Sequence, residues 1–345
     1  MLHVLTGPTA VGKTELALQW AEANQAEIVS CDSLLFYRGM DIGTAKPNRA
    51  ELGRVPHHLI DINAVDEPLN IARYLEVART AVDEILRRKR RVLVTGGSGF
   101  YLKAFFGPVV DDVTVPVELR EEIETRLTTH GLEALVADLR ALNPQGLGEL
   151  DVANPRRVTR ALERCRASGR TLVELKAAFA ARPGAFADCE ITGVQLEREP
   201  TELGQRIELR VDQMLAAGLV EEVQQLLAAG LERNPSAARS IGYRETIAML
   251  AGELPPAELK TEIVKNTKSL ARKQRTWFPR PEAPRPERYQ VPPALPGPGG
   301  TWTGRHRNEP FPAQIAGCSI PRKGARSGGL QRRFRPIGSP TSRRP

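Results

Sequence analysis

Long apolar runs are missing from this chain, and so is any cluster of cysteines. No stretch of its 345 residues approaches the ~20 apolar residues that a membrane-crossing helix needs. His3 and Thr6 interrupt the apolar start, so no secretory leader is read there. The four cysteines, Cys31, Cys165, Cys189 and Cys318, are scattered without C-x-x-C spacing. That spacing argues against a disulfide framework and against a zinc site, and it suits a reducing cytoplasm. Surplus positive charge is also missing from most of the chain. The formal net charge is +8, but of the 49 Lys+Arg and 41 Asp+Glu, 13 and 3 lie in residues 279–345, which leaves 36 and 38 in residues 1–278, a net of −2. Any affinity of the body for nucleic acid must therefore come from local clusters rather than from the total.

What is present begins at once. Gly7-Pro8-Thr9-Ala10-Val11-Gly12-Lys13-Thr14 satisfies G-x-x-x-x-G-K-[ST] without a mismatch. A short apolar strand precedes it (residues 1–6), and a helix is expected to follow over Glu15 to Glu22. In such a loop, successive backbone N–H groups turn inward toward phosphate oxygens, and the new helix adds its positive end. Lys13 supplies a mobile charge, and the Thr14 hydroxyl is placed to hold a Mg²⁺ that bridges phosphates. The motif specifies a polyphosphate and does not specify ATP.

Glu27 to Cys31 reads as a second strand with Asp32-Ser33 at its carboxyl end, the edge where open α/β sheets bind ligands. Asp32 is a candidate general base or metal ligand, and by position alone it could equally be a turn or cap aspartate. Leu34 to Thr44 mixes apolar residues with Arg38, Asp41 and two glycines and reads as a binding loop. His57 to Ile62 is expected to form a third strand, its histidine pair structural for want of a third ligand. Ala72 to Arg88 has helical periodicity, and Arg91 to Thr95 reads as a strand running into Gly96-Gly97-Ser98-Gly99, a second glycine-rich turn. One acid is missing here. A P-loop ATPase ends an apolar strand in an Asp that holds Mg²⁺ through water, whereas Val92-Leu93-Val94 ends in Thr95-Gly96. That counts against a motor ATPase and leaves a kinase-like enzyme or one that uses a diphosphate.

From Asp111 to Glu190 the strand–helix alternation stops. Helices are expected over Glu118–Arg126 and Gly131–Leu142, and from Asn154-Pro155, with its cap and first-turn proline, to Gly169. Arg156, Arg160 and Arg164 form one stripe on that last helix, widened by Arg157 and Arg166, with Glu163 the only acid among them. A phosphate-backbone surface and a solvated charged face are the two readings of it. Strand character returns at Ile191–Leu196. Helices follow over Thr201–Leu215, carrying Arg206 and Arg210, over Val220–Leu227, after the Arg239–Arg244 turn, and over Glu262–Trp277, whose Lys265, Lys268, Arg272 and Arg275 share a face. The expected fold is α/β: a P-loop NTPase-like parallel sheet flanked by helices, made of residues 1–110 and 191–278, with residues 111–190 an inserted helical domain. Residues 279–345 hold 14 of the 27 prolines and no periodicity and are expected to be disordered. So abrupt a break is what a shifted reading frame near the gene's end produces; a basic arm with non-specific RNA affinity is the rival reading.

Taken in order, G-P-T-A-V-G-K-T (7–14), S-C-D-S (30–33), Y-R-G-M-D-I-G-T-A-K-P (37–47), G-G-S-G-F-Y (96–101), N-P-R-R-V-T-R-A-L (154–162), I-G-Y-R-E (241–245) and R-K-Q-R-T-W-F (272–278) resemble the tRNA dimethylallyltransferase, or tRNA isopentenyltransferase, family. The resemblance covers residues 1–278. It implies transfer of a dimethylallyl group from dimethylallyl diphosphate to the exocyclic amine of the adenosine 3′ of the anticodon, in tRNAs reading codons that begin with U. By position it implies Asp32 as general base, with Ser33, Leu34 and Leu35 along the adenine's approach. Thr9, Lys13, Thr14 and Arg210 would serve the diphosphate, with Mg²⁺ aiding its departure. It also implies tRNA contacts from Ser98, from Arg120, from Arg156, Arg157, Val158, Thr159 and Arg160, and from Arg239, Ser240, Ile241, Gly242, Tyr243 and Arg244. The partners implied are the tRNA anticodon stem-loop and dimethylallyl diphosphate, with no membrane, and the chain is expected to be a monomer. Leu35 stands where many members have Gln, and Ser98 where Thr is usual. The rivals are a P-loop small-molecule kinase, with Asp32 activating a hydroxyl, and a non-catalytic RNA-binding protein.

Overall fold

A computed structural model describes residues 1–275 and 287–291. In chain order its elements are β1 (Leu2–Thr6), α1 (Lys13–Asn24), β2 (Ala26–Ser30), α2 (Arg49–Arg54), β3 (His57–His58), α3 (Ile71–Arg87), β4 (Arg91–Gly96), α4 (Gly99–Phe106), α5 (Val117–Ala141), α6 (Pro155–Ser168), α7 (Leu172–Ala180), β5 (Ile191–Glu197), α8 (Pro200–Ala216), α9 (Leu219–Ala228), α10 (Pro235–Ala238), α11 (Tyr243–Leu250), α12 (Leu259–Arg275) and β6 (Glu287–Gln290). The strands make one parallel sheet in the order β3-β2-β4-β1-β5-β6.

Strands β1 and β2 are buried along their whole length, as an apolar run covered on both faces requires. Alternate residues then serve two cores. Leu2, Val4, Val92 and Val94 face the core built by α3, α4, α9 and α11, while Leu5, Leu93, Val194 and Leu196 face the one built by α1, α8 and α12. His3 lies on this second side, 4.7 Å from the Trp20 ring and bonded through Nδ1 to Thr192 Oγ1 at 3.0 Å. Helices α5, α6 and α7 enclose a third core of their own, around Ile123, Leu135, Leu139, Val158 and Leu162. Among the described residues no helix is long and apolar enough to cross a membrane.

Local signals in the sequence place most elements. Asn154 caps α6 by accepting from the Arg157 N–H, Pro155 opens the helix, and Gly169, at φ 65°, closes it. The two helices expected over 118–126 and 131–142 both form within α5, separated where Gly131 takes φ 77° and ψ 177°, outside the helical region. The third strand is shorter than expected. Only His57 and His58 pair with β2, because Leu59 and Asp61, at φ 62° and 56°, turn the chain out of the extended state. The expected disorder of residues 279–345 is also corrected in part. Residues 287–290 form β6, which hydrogen-bonds along β5, and Val291 beside it is buried in the second core. The outer edge of β5 is a row of backbone groups that pairs with any extended segment, whatever its composition. Trp277, Phe278 and residues 292–345, with Cys318, lie outside the described residues.

Burial, with lesser contributions from Arg91 and the N-terminal amine, lowers the His3 pKa from 6.5 to about 4. In the unfolded chain it takes a proton at its ordinary value, so between these limits the unfolded state binds more protons than the folded one. Stability is therefore lost as pH falls through that window. In thermal melts, His3→Gln should show a shallower fall in melting temperature between pH 6.5 and pH 4 than the wild-type chain. Parallel profiles would refute this role for His3.

Candidate active site

The P-loop leaves β1 at Gly7 and enters α1 through Gly12, whose φ of 106° suits glycine alone. Its carbonyls are held by cationic side chains. Arg198, a fully buried side chain, donates through Nε and Nη2 to Val11 O, and Arg206 Nε donates to Ala10 O at 2.9 Å. Lys13 Nζ donates to the carbonyls of Gly7 and Pro8 at 3.0 and 2.9 Å. Gln274, near the end of α12, completes the frame. Its Oε1 accepts from the Thr9 N–H at 2.8 Å and its Nε2 donates to Gly97 O at 2.9 Å, tying the P-loop to the second glycine-rich turn.

A cavity of about 420 Å³ opens over this frame. Thr9, Ala10, Gly12, Lys13 and Thr14 line it together with Asp32, Leu35, Thr44, Arg206, Arg210, Gln274 and the turn at Gly96-Gly97. Asp32 is half-buried, and its Oδ1 accepts from the Leu34 N–H at 3.1 Å. It is thus a turn aspartate and a cavity carboxylate at once, the second oxygen remaining available for chemistry. Arg210 reaches in from α8 and donates to Thr44 O at 2.9 Å. Burial lowers the Lys13 pKa to about 8, against the raising effect of Asp32 and with the help of Arg210. Burial lowers that of Arg210 as well. Two desolvated cations beside one carboxylate make a site that gains by taking up an anion.

No carboxylate joins them from β4. A Cβ on Gly96 would lie 2.3 Å from Cys31 O, so the strand end beside the P-loop has no room for a side chain. Among the described residues no group of three or more His, Cys, Asp or Glu is arranged to hold a metal ion. The exposed Thr14 hydroxyl fits Mg²⁺ taken with its ligand's own phosphate oxygens and water, the usual habit of that ion, and does not fit an all-protein cage.

The model of the IPP transferase family matches residues 35–281. A tRNA dimethylallyltransferase of Opitutus terrae is 64% identical over 277 residues, covering 80% of this chain and 89% of the relative. The chain belongs to the IPP transferase family. A tRNA dimethylallyltransferase of Geobacter metallireducens is 43% identical over 285 residues, 81% of this chain and 89% of the relative. Among solved structures, the tRNA isopentenylpyrophosphate transferase of Bacillus halodurans aligns with a TM-score of 0.59 at 31% identity, over 84% of this chain and 89% of its own. A eukaryotic dimethylallyltransferase acting on tRNA aligns with a TM-score of 0.70 at 25% identity, over 80% of this chain and 69% of that one.

Of the other residues expected to serve this IPP transferase, Ser33 and Leu34 are half-buried beside Asp32, and Ser98 begins α4 next to the glycine-rich turn. Arg120, Arg156, Arg157, Arg160, Arg239 and Arg244 are exposed, and Ser240 and Ile241 are half-buried. Two expected tRNA contacts need correction. Val158 packs into the third core with 0% exposure, and Tyr243, also at 0%, points into the first, so neither offers its side chain to RNA; Gly242 is buried beside it. Thr159 keeps its hydroxyl buried, with no hydrogen-bond partner among the described residues. The arginine stripe is also less bare than its own helix implies. Arg164 pairs with Asp111, Arg166 with Glu122 at 2.7 Å and Arg157 with Asp151 at 3.8 Å, all acids from outside α6, beside the Arg160–Glu163 pair. Arg156 has no ion pair among the described residues. On α12, Lys268 pairs with Glu208 of α8, and Lys265 pairs with Glu262.

Sequence reasoning missed Arg198, Gln274 and Glu222 as site supports, and it noted Arg206 without a role. For Arg206 a signal existed: it stands four residues before Arg210, so both project from one side of α8. The lowered pH at which Lys13 loses its proton is directly testable. Pyrophosphate affinity should fall as pH rises from 7 to 9, through the Lys13 pKa of about 8. Lys13→Ala should weaken binding at pH 7 and flatten that stretch of the profile. A wild-type affinity that is level across the range would contradict the assignment.

Proposed function

We propose that this IPP transferase moves a dimethylallyl group from dimethylallyl diphosphate to the exocyclic amine of the adenosine 3′ of the anticodon in tRNAs reading codons that begin with U. The observation that carries the reading is the meeting, in one cavity, of the P-loop's Lys13 and Thr14 with Asp32 and Arg210. The amine's nitrogen attacks the allylic carbon, the carbon–oxygen bond to the diphosphate breaks, and Asp32 accepts the proton that the amine releases. Charge grows on the departing diphosphate, where Lys13, Arg210 and the positive end of α1 are already in place. Bound Mg²⁺, held by Thr14 and the diphosphate oxygens, would add further neutralisation of the leaving group.

The target base must leave its stack to reach Asp32, which costs least in a single-stranded loop. Arg120, Arg156, Arg160, Arg239 and Arg244, exposed on the helical insertion, on the turn before α11 and in the first turn of α11, supply phosphate contacts for an anticodon stem-loop on a body whose net charge is otherwise close to zero. We take residues 111–190 as the RNA-facing insertion and the chain as a monomer working in the cytoplasm. A small-molecule kinase is not favoured: it leaves these arginines without a purpose, and the relatives in Opitutus terrae and Geobacter metallireducens bear the name tRNA dimethylallyltransferase.

The test incubates purified protein with Mg²⁺, radiolabelled dimethylallyl diphosphate and unmodified tRNA, followed by nuclease digestion. Labelled adenosine is the expected product. Asp32→Ala should cut the rate about 10²- to 10⁴-fold while leaving tRNA binding in place. Arg156→Ala should weaken tRNA binding and reduce its salt dependence by about one phosphate contact. ATP consumption with a small acceptor, and no label in RNA, would replace this reading with the kinase.

A further inference from the structure

Thr44 lines the active-site cavity, and the carboxylate of Glu222, on α9, holds the backbone of residues 41–43 just before it. Glu222 Oε2 accepts from the N–H groups of Asp41 and Ile42 at 3.0 and 2.6 Å, and Oε1 accepts from that of Gly43 at 3.1 Å. The Tyr243 hydroxyl, at the start of α11, donates to the same Oε1 at 2.6 Å. Glu222 is 8% exposed and Tyr243 is fully buried. Three consecutive N–H groups aimed at one point make a concavity that binds anions; here the anion is built into the protein. The packing is close as well. A Cβ on Gly43 would lie 2.6 Å from the Tyr243 ring, so only glycine lets the loop rest there.

The next residue carries the consequence into the cavity. The Thr44 hydroxyl donates back to Met40 O at 2.7 Å, and the Thr44 carbonyl receives the Arg210 guanidinium at 2.9 Å. On the other side, Lys46 donates to Tyr37 O at 2.9 Å and pairs with Asp41 at 2.6 Å. Arg210 thus depends on a carbonyl whose place is set by the bonds Glu222 makes to the three residues before Thr44. The element that clamps the loop from behind, Tyr243, belongs to the turn whose Arg239 and Arg244 face solvent.

We propose that Glu222 is a positioning residue for the transfer reaction: through the 41–44 loop it fixes the Thr44 carbonyl that aims Arg210 at the diphosphate, and through Tyr243 it ties that aim to the 239–244 turn. This rests on the prenyl-transfer reading of the site. Glu222 touches neither substrate. Its loss frees three backbone donors and lets the carbonyl drift, and displacements of about 1 Å at a positioned group are costly to rate and binding.

The test measures pyrophosphate binding by calorimetry in the presence of Mg²⁺, and KM and kcat for dimethylallyl diphosphate, on full-length Glu222→Gln and Tyr243→Phe chains. Glu222→Gln should raise the pyrophosphate Kd and the donor KM about tenfold with kcat changed less, and Tyr243→Phe, which keeps the ring against Gly43, should do so about two- to fivefold. In an Arg210→Ala background, Glu222→Gln should add almost nothing to the Kd, because the group it aims is gone. Variants that melt earlier but bind pyrophosphate as the wild type does, or losses that simply add in the double variant, overturn the proposal. Should Glu222→Gln not fold, Tyr243→Phe with unchanged Kd and KM overturns it equally. A wild-type chain that takes up no pyrophosphate overturns the reading of the site, and this proposal with it.

Discussion

The constraint on which this site depends is the close approach of three strand ends. At the carboxyl edge of the sheet, β1, β4 and β2 deliver the P-loop, the turn at 96–99 and Asp32 side by side. A Cβ on Gly7 would meet Leu196 O at 2.8 Å, and one on Gly96 would meet Cys31 O at 2.3 Å. Backbone lies against backbone there. That approach brings Asp32, which sits one strand away from the P-loop, into the same cavity as Lys13. It also leaves no room for a side chain at the end of β4.

Charge is then arranged in layers around the cradle. Carbonyls of the P-loop accept from Arg198, Arg206 and Lys13, and its Thr9 N–H is held by Gln274. Lys13 and Arg210 lie where burial disfavours their charged forms, with Asp32 as the nearest counter-charge. Such a site is strained toward an anionic ligand and pre-organised for a leaving group that gains charge. An acid at the end of β4 would serve a triphosphate and its metal; a diphosphate donor needs less, and the glycine there agrees with a P-loop turned to group transfer.

Much of this was legible in the residues. The P-loop spacing, the apolar runs of β1, β2 and β4, the caps of α6 and the periodicity of α3 are local patterns, and they lead to the sheet and most helices. Where reading failed, the cause was a local turn in one place and elsewhere a partner far away in the chain. Leu59 and Asp61 leave the extended state within a segment that looks like a strand. Glu287 to Gln290 looks like coil and becomes a strand because β5 has an open edge. The arginines of α6 look bare because Asp111, Asp151 and Glu122 are not on that helix. Val158 and Tyr243 stand in motifs beside exposed arginines, yet face the cores.

By itself the sequence determined which chemistry is available: a phosphate cradle, a carboxylate at a strand end, cationic helices, and membership in a family whose motifs are contiguous stretches of chain. Those are properties of neighbours along the backbone, where hydrogen-bond geometry and helix periodicity act within a few residues. Only the tertiary structure decided which groups meet. Gln274 closes the P-loop from 265 residues away, Arg210 leans on Thr44 from 166, and Glu222 holds Asp41 from 181. Such contacts depend on how layers pack over the sheet, and packing is a property of the whole chain that no local pattern encodes.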